Sequence, residues 1–145
     1  MLRARFAAGE ASVPLVAQEL AKACHSLPIA FIRQQDYFTP AAVQGLQPGQ
    51  NLFVAPDGRW LGPYIPAAYR GYPFALLPAD TDQLVLCVDL DSALIGDQHE
   101  QPFFTDTGDP AQRIKDVLDV LQQLHQNRPH TPRLCAALEA EQLIT

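Results

Sequence analysis

The sequence lacks lysine and arginine from Gly71 to Gln112, although that stretch carries many acidic residues. They are Asp80, Asp82, Asp89, Asp91, Asp97, Glu100, Asp106 and Asp109. The formal net charge of the 145 residues is -6, and a phosphate-backbone ligand needs clustered basic residues. We therefore expect no nucleic-acid partner. We interpret the acidic stretch as a solvated face; the alternative is a site for a cation or a basic partner.

Charge and cysteine are both scarce. Charged residues make up 18% of the chain, below the usual level of about 25%, so part of the surface is either uncharged or covered by a partner. Cys24, Cys87 and Cys135 form no CxxC pattern and each lies among apolar residues. This predicts small buried cysteines in a reducing compartment, and hence a cytoplasmic protein.

Targeting segments and catalytic motifs are missing as well. The N-terminal residues include no apolar core of a signal peptide, and no run reaches the roughly 18 apolar residues of a membrane span. The chain contains no GxSxG, GxGxxG, GxxxxGK[ST] or HExxH pattern. Cys24 and His25 are adjacent, so we expect their side chains to point apart on a helix. We therefore predict no cofactor and favour a non-enzyme.

The apolar pattern predicts a single α+β domain over residues 1–145, with a mainly antiparallel sheet of short strands, an N-terminal helix and two C-terminal helices. The predicted elements are a helix from Pro14 to Cys24, strands at Pro28–Ile32, Asn51–Val54, Arg59–Leu61, Pro73–Leu77 and Gln83–Val88, a helical turn at Pro66–Tyr69, and helices beginning at Asp109-Pro110 and Thr131-Pro132.

Three local patterns make these predictions specific. Asp57-Gly58 predicts a tight turn that pairs the strands on either side of it. Gln83–Val88 is largely apolar at both odd and even positions, which predicts a strand covered on both faces. Asp109, with Gln112 three residues later, predicts a capped helix start.

Six of the twelve aromatic residues lie between Asn51 and Phe74. We interpret this segment as interior packing, because aromatic side chains bury large areas. The alternative is an aromatic groove for a peptide or a small ligand, with two arginines at its rim. The candidate ligand-binding residues on that alternative are Arg59, Trp60, Tyr64, Tyr69, Arg70 and Tyr72.

Two short acidic patterns are candidate cation sites. Asp89 and Asp91 have the DxD spacing, which places two carboxylates on one face of a strand. The alternative is a solvated strand end. Asp106-Thr-Gly-Asp109 resembles the start of a calcium loop but lacks its remaining acidic positions. We interpret it as a turn leading into the helix.

Several ordered motifs together resemble the bacterial SapC family. They are LPIAF (27–31), GLQPGQNLFV (45–54), DGRW (57–60), YIPA (64–67), YPF (72–74), LCVD (86–89), PFF (102–104) and DTG (106–108). The family is named for a locus connected with a bacterial surface layer and has no established reaction, so the resemblance carries over no catalytic residues. Similar proteins usually continue further, so the resemblance implies either a short member of the family or a second half that is lost or belongs to another chain. The apolar Leu143 and Ile144 fit a missing packing partner.

Three functional hypotheses follow. The first is a non-enzymatic binding or assembly protein that forms a homodimer through its C-terminal helices. The second is a small-molecule enzyme, or an accessory subunit of one, with an aromatic pocket around Trp60, Tyr64 and Tyr72 and with Asp89 or Asp91 as the ionisable group. The third, implied by the family name alone, is surface-layer attachment or export.

Overall fold

The computed structural model of the protein describes residues 3–79, 83–96 and 102–145, which fold as an α+β domain as predicted. The strands are β1 (Ser12–Pro14), β2 (Ile29–Gln34), β3 (Tyr37–Val43), β4 (Phe74–Pro78) and β5 (Leu84–Val88). The helices are α1 (Leu20–Ala23), α2 (Ala67–Arg70), α3 (Gln112–Asn127) and α4 (His130–Ala140). The described strands form two antiparallel sheets, β1-β3-β2 and β4-β5.

Strand β3 lies at the centre of the larger sheet although it contains Pro40. The sequence predicted β2 but no strand at β3, and proline is normally confined to edge strands. The sheet tolerates Pro40 because β1 ends at Pro14, opposite Ala41. The nitrogen of Pro40 therefore lies beyond the last pair, while its carbonyl oxygen still accepts a hydrogen bond from Leu15 N.

The N-terminal helix is much shorter than predicted. Its expected first residues, Ser12–Pro14, instead pair with β3, and a 3-10 turn at Ala17–Glu19 precedes α1 at Leu20–Ala23. Pairing with an exposed sheet edge outweighs the weak helical preference of this stretch. Only the final turn of the predicted helix, Pro14 to Cys24, is therefore confirmed.

The predicted hairpin at residues 51–61 is a tight reversal without true strands. Ala55 N donates to Arg59 O, Gly58 adopts a φ of +86°, and only the pair Val54 and Trp60 forms a bridge. Side-chain hydrogen bonds, and not a ladder of backbone hydrogen bonds between strands, hold this segment in position. Asn51 is buried and donates through Nδ2 to Ala7 O at 2.9 Å.

Two predictions about burial, one for β5 and one for the cysteines, are not fully confirmed. Strand β5 is not covered on both faces, because Leu84 and Val85 are exposed in this two-stranded ribbon. The prediction that all three cysteines are buried is confirmed only for Cys135. Cys135 is buried, Cys87 on β5 is partly buried, and Cys24 is exposed just after α1. Position in a short or isolated element, and not the apolar neighbours in sequence, decides their burial.

The two C-terminal helices are present, but α3 begins at Gln112 and not at Asp109. Asp109 lies in a preceding turn, where its carboxylate accepts from the Thr107 hydroxyl at 3.0 Å and its carbonyl from Thr105 N. Helix α4 packs against β3, and Thr131 Oγ1 accepts a hydrogen bond from Ala17 N at 3.0 Å. No described helix is long and apolar enough to cross a bilayer.

The main core lies where the three-stranded sheet meets the aromatic segment. Trp60 and Tyr69 are buried in it together with small apolar side chains. The Trp60 ring packs 5.7 Å from Phe53 and 5.8 Å from Tyr69 between centroids. The interior interpretation of the aromatic segment is therefore confirmed for these two residues. A buried Gln44 adds a polar link by accepting from the Tyr69 hydroxyl at 2.7 Å.

Candidate functional site

A cleft of about 230 Å³ opens between the Ala17–Glu19 turn, α2 and α3. We call it the Glu19 cleft. The polar residues that define it are Gln18, Glu19, Lys22, Tyr64, Arg70, Gln123 and Asn127. Val16, Ala67, Val120 and Leu124 supply its apolar wall. Lys22 and Arg70 are exposed at its opening, so their charges are accessible to a ligand.

Glu19 forms the floor of the cleft and is only 5% exposed. Its Oε1 accepts a hydrogen bond from Val16 N at 2.9 Å, and its Oε2 accepts one from Ala67 N at 2.8 Å. Because a buried charge must be compensated, these donors are what permits a carboxylate here. The side chain therefore joins the 3-10 turn to the start of α2.

Tyr64 and Arg70 complete the shell around this carboxylate. The Tyr64 hydroxyl donates to Glu19 Oε2 at 2.8 Å, and Arg70 Nη2 donates to the Tyr64 oxygen at 3.2 Å. Arg70 Nη2 also lies 3.8 Å from Glu19 Oε2, and its guanidinium lies over the Tyr64 ring at 5.7 Å. Arg70 is thus positioned at the mouth by one ion pair and one aromatic face.

Burial, reinforced by the hydrogen bond to Glu19, raises the pKa of Tyr64 to about 12. The phenol therefore keeps its proton at neutral pH and acts as a donor, not as a base. Neither serine, threonine, cysteine nor histidine is among the described residues that line the cleft. Those residues therefore contain no serine, threonine or cysteine nucleophile paired with a histidine base.

The remaining polar groups favour an anion. Lys22 and Arg70 bring two cationic side chains to the same opening, while the Glu19 carboxylate is already engaged by its donors. Asn127 Nδ2 donates to Gln18 Oε1 at 2.6 Å, which holds α3 against the 3-10 turn. The arrangement can bind a small carboxylate or phosphate group through charge-assisted hydrogen bonds.

The structure separates the predicted ligand-binding residues. Tyr64 and Arg70 meet in the Glu19 cleft, whereas Trp60 and Tyr69 are buried in the core. The Trp60 indole donates to Tyr64 O at 2.9 Å, so its polar atom is satisfied internally. Arg59 lies outside the cleft, where it pairs with Asp57 at 2.5 Å and lowers the pKa of that carboxyl group.

Tyr72 and the two predicted metal ligands lie at a different place. The Tyr72 ring stacks on Phe6 at 3.9 Å, and its hydroxyl donates to Asp89 Oδ2 at 3.0 Å. Asp89 Oδ1 accepts from Asp91 N at 3.1 Å, so this carboxylate closes a turn after β5. Within the described chain, no three His, Cys, Asp or Glu side chains converge as a metal would require. A metal at Asp89 and Asp91 stays a prediction.

A shallow groove of about 360 Å³ also contacts Tyr69 and Tyr72, together with Phe6 and residues of β1. Trp60 does not line it. The aromatic pocket that would join Trp60 to Asp89 or Asp91 is therefore not formed by either cleft described here. Cys24 and His25, expected to point apart, approach to 3.8 Å between Sγ and Nδ1 at an exposed position.

Sequence reasoning missed Glu19 and Lys22. The available signal was the spacing of Val16 and Glu19, which matches the second half of a capping box. Valine at the first position provides no side-chain oxygen, so the pattern went unnoticed. The partners of Glu19 in the aromatic segment are 45 and 48 residues away along the chain, beyond the reach of local patterns.

The architecture and the cleft define a class: an α+β domain with a polar cleft that has Lys22 and Arg70 at its opening. The chain belongs to the SapC family, because the SapC family model matches residues 1–145, the whole chain. Comparison with curated proteins and with solved structures finds no match. The family assignment confirms the resemblance noted above.

Proposed function

We propose that this SapC-family protein is a non-enzymatic binding protein that takes a small organic anion, a carboxylate or a phosphate ester, in the Glu19 cleft. One observation carries the proposal: Lys22 and Arg70 line the same opening, over a carboxylate that is already compensated. A volume of about 230 Å³ suits a small metabolite, since drug-sized ligands fill pockets of roughly 300–1,000 Å³.

The chemistry of the lining supports binding over turnover. Tyr64 holds its proton because its pKa lies near 12, and the Glu19 oxygens accept from backbone and phenol donors. Neither group is free to remove a proton from a ligand. The alternative small-molecule enzyme at Trp60 has less support, because the indole is packed in the core with its nitrogen satisfied.

Titration calorimetry with acetate, succinate, citrate and inorganic phosphate tests the proposal. We expect saturable binding of at least one anion and a loss of about tenfold in affinity for Arg70→Gln, in line with removal of one charge-assisted hydrogen bond. Arg59→Gln is the matched control, because Arg59 is similarly exposed but lies outside the cleft. The ligand should be recovered unchanged after prolonged incubation.

Three results would count against this function. They are the absence of saturation by every anion, equal losses of affinity for the Arg70 and Arg59 variants, or conversion of a bound ligand to product.

The predicted homodimer through the C-terminal helices gains no support from α3, whose exposed residues are all polar or charged. Surface-layer attachment stays a prediction from the family name.

A further inference from the structure

The two edges of the β4–β5 ribbon differ in the number of unpaired backbone N–H groups that they present. Antiparallel ladders alternate between pairs that exchange hydrogen bonds and pairs that do not. Asp89 N donates to Pro73 O and Ala79 N donates to Gln83 O, at the two ends of the register that pairs Phe74 with Val88. Leu84, Leu86 and Val88 therefore direct their backbone N–H and C=O groups away from β4.

These outward groups of β5 are unpaired in the described structure. None of the three N–H and three C=O groups at Leu84, Leu86 and Val88 has a hydrogen-bond partner there. On β4, by contrast, Phe74 N donates to Gly71 O at 2.8 Å and Pro78 has no N–H to offer. The two edges thus differ in their donors: β4 keeps one outward N–H without a partner, at Leu76, whereas β5 keeps three.

Natural proteins protect an open edge with lysine, proline or a bulge, since it otherwise recruits another strand. The β5 segment Leu84–Val88 contains none of these devices. Its side chains reinforce the contrast. Leu77 and Val85 face each other across the ribbon and are 51% and 48% exposed. A two-stranded ribbon is marginal alone, so a third strand would stabilise it.

The charge around the ribbon selects the occupant. Asp89 and Asp91 follow β5 directly, and no lysine or arginine occurs from Gly71 to Gln112. A second copy of this chain would bring like charges together, which opposes strand pairing. We infer that the open edge of β5 binds an extended segment of a partner protein in which apolar residues alternate with lysine or arginine, as an added β-strand.

A capped peptide of alternating valine and lysine, about seven residues long to match the five-residue strand, is the direct probe. We expect saturable binding by fluorescence anisotropy that weakens as salt is raised. A peptide of alternating valine and glutamate should bind at least tenfold more weakly. A valine–lysine peptide N-methylated at every residue should also lose binding, because neither of its edges can donate a hydrogen bond to β5.

A matched pair of variants tests the edge itself. Leu84→Pro removes an outward N–H at the start of β5, and Leu84→Ala removes the same side chain but keeps that donor. We expect Leu84→Pro to bind the peptide about fivefold more weakly than Leu84→Ala, the effect of one hydrogen bond.

Three outcomes overturn the inference: equal binding of the lysine and glutamate peptides, full binding of the N-methylated peptide, or self-association at β5 that excludes the peptide. The peptide comparisons use the unaltered protein, so they decide the matter even if Leu84→Pro fails to fold. Loss of anion binding in Arg70→Gln with peptide binding intact would separate this surface from the Glu19 cleft.

Discussion

The region around the three-stranded sheet and the Glu19 cleft differs from the β4–β5 ribbon in how far its apolar side chains are buried. Around the three-stranded sheet, apolar residues are buried and the buried carboxylate of Glu19 has donors on both oxygens. In the ribbon, large apolar residues such as Leu77 and Val85 face solvent while one strand edge has no partner. The contrast teaches that buried, hydrogen-bonded packing is concentrated in the first region, whereas the second presents apolar surface and unpaired backbone groups to solvent.

The largest expected effect comes from the floor of the cleft. Glu19→Ala leaves three buried or part-buried donors without an acceptor: Val16 N, Ala67 N and the Tyr64 hydroxyl. We expect a loss of about 4 kcal/mol in the free energy of unfolding, measured by urea denaturation.

Glu139→Ala is the control for this prediction, because Glu139 is an exposed carboxylate with one long ion pair to Arg33 at 3.9 Å. Its removal should change the free energy of unfolding by less than about 1 kcal/mol. Similar losses for the two variants would show that the Glu19 bonds contribute little.

Shortening one valine to alanine in each region compares the two regions directly. Val13 on β1 is 5% exposed, whereas Val85 on β5 lies largely in solvent. We expect Val13→Ala to lower the free energy of unfolding by about 2 kcal/mol, and Val85→Ala by less than about 0.5 kcal/mol. Chemical denaturation measures both. Equal losses would remove the distinction between the two regions.

High pH should lower the stability of the region around the three-stranded sheet and the Glu19 cleft. Burial raises the pKa values of Tyr64 and Tyr69 to about 12 from 10.0. Below pH 10 the folded and the unfolded protein both keep the phenol protons, so ionisation of these tyrosines does not lower the stability. Between pH 10 and 12 only the unfolded protein releases these protons, so the free energy of unfolding falls. Thermal melts across this window check the fall, and Tyr64→Phe should make it shallower. A flat profile would contradict the assignment.

The smallest effect concerns thiol labelling. Cys135 is buried in α4 and its thiol pKa is raised by burial, whereas Cys87 in the ribbon is only partly buried. We expect a thiol reagent at neutral pH to modify Cys87 well before Cys135, as seen by peptide mass mapping. Equal rates would indicate that α4 opens as readily as the ribbon.

The local sequence pattern predicted which segments form strands and helices better than it predicted the burial of those segments or the residues at which they begin. The ribbon strands Pro73–Leu77 and Gln83–Val88 were expected close to the observed β4 and β5. The exposure of Val85 was not predicted, because burial depends on whether a second layer of structure covers the strand. Similarly, the start of α3 moved to Gln112 because Asp109 hydrogen-bonds within its own turn.

The candidate site could be predicted only in part. Tyr64 and Arg70 stood out because they belong to the aromatic segment and its rim. Glu19 did not, since an isolated glutamate in a short polar stretch gives no sign of burial. Its role follows from contacts that only the tertiary structure creates, through the Ala67 N–H and the Tyr64 hydroxyl.

The hydrogen bond from Ala17 N to Thr131 Oγ1 has a consequence for synthesis on the ribosome. These two residues are 114 positions apart, and α4 also packs on the central strand β3. The sheet can therefore be covered by α4 only after residues His130–Ala140 have emerged. Until then its nascent form should remain open to chaperones, and a ribosome-bound intermediate that ends before α4 should lack the protease resistance of the released protein.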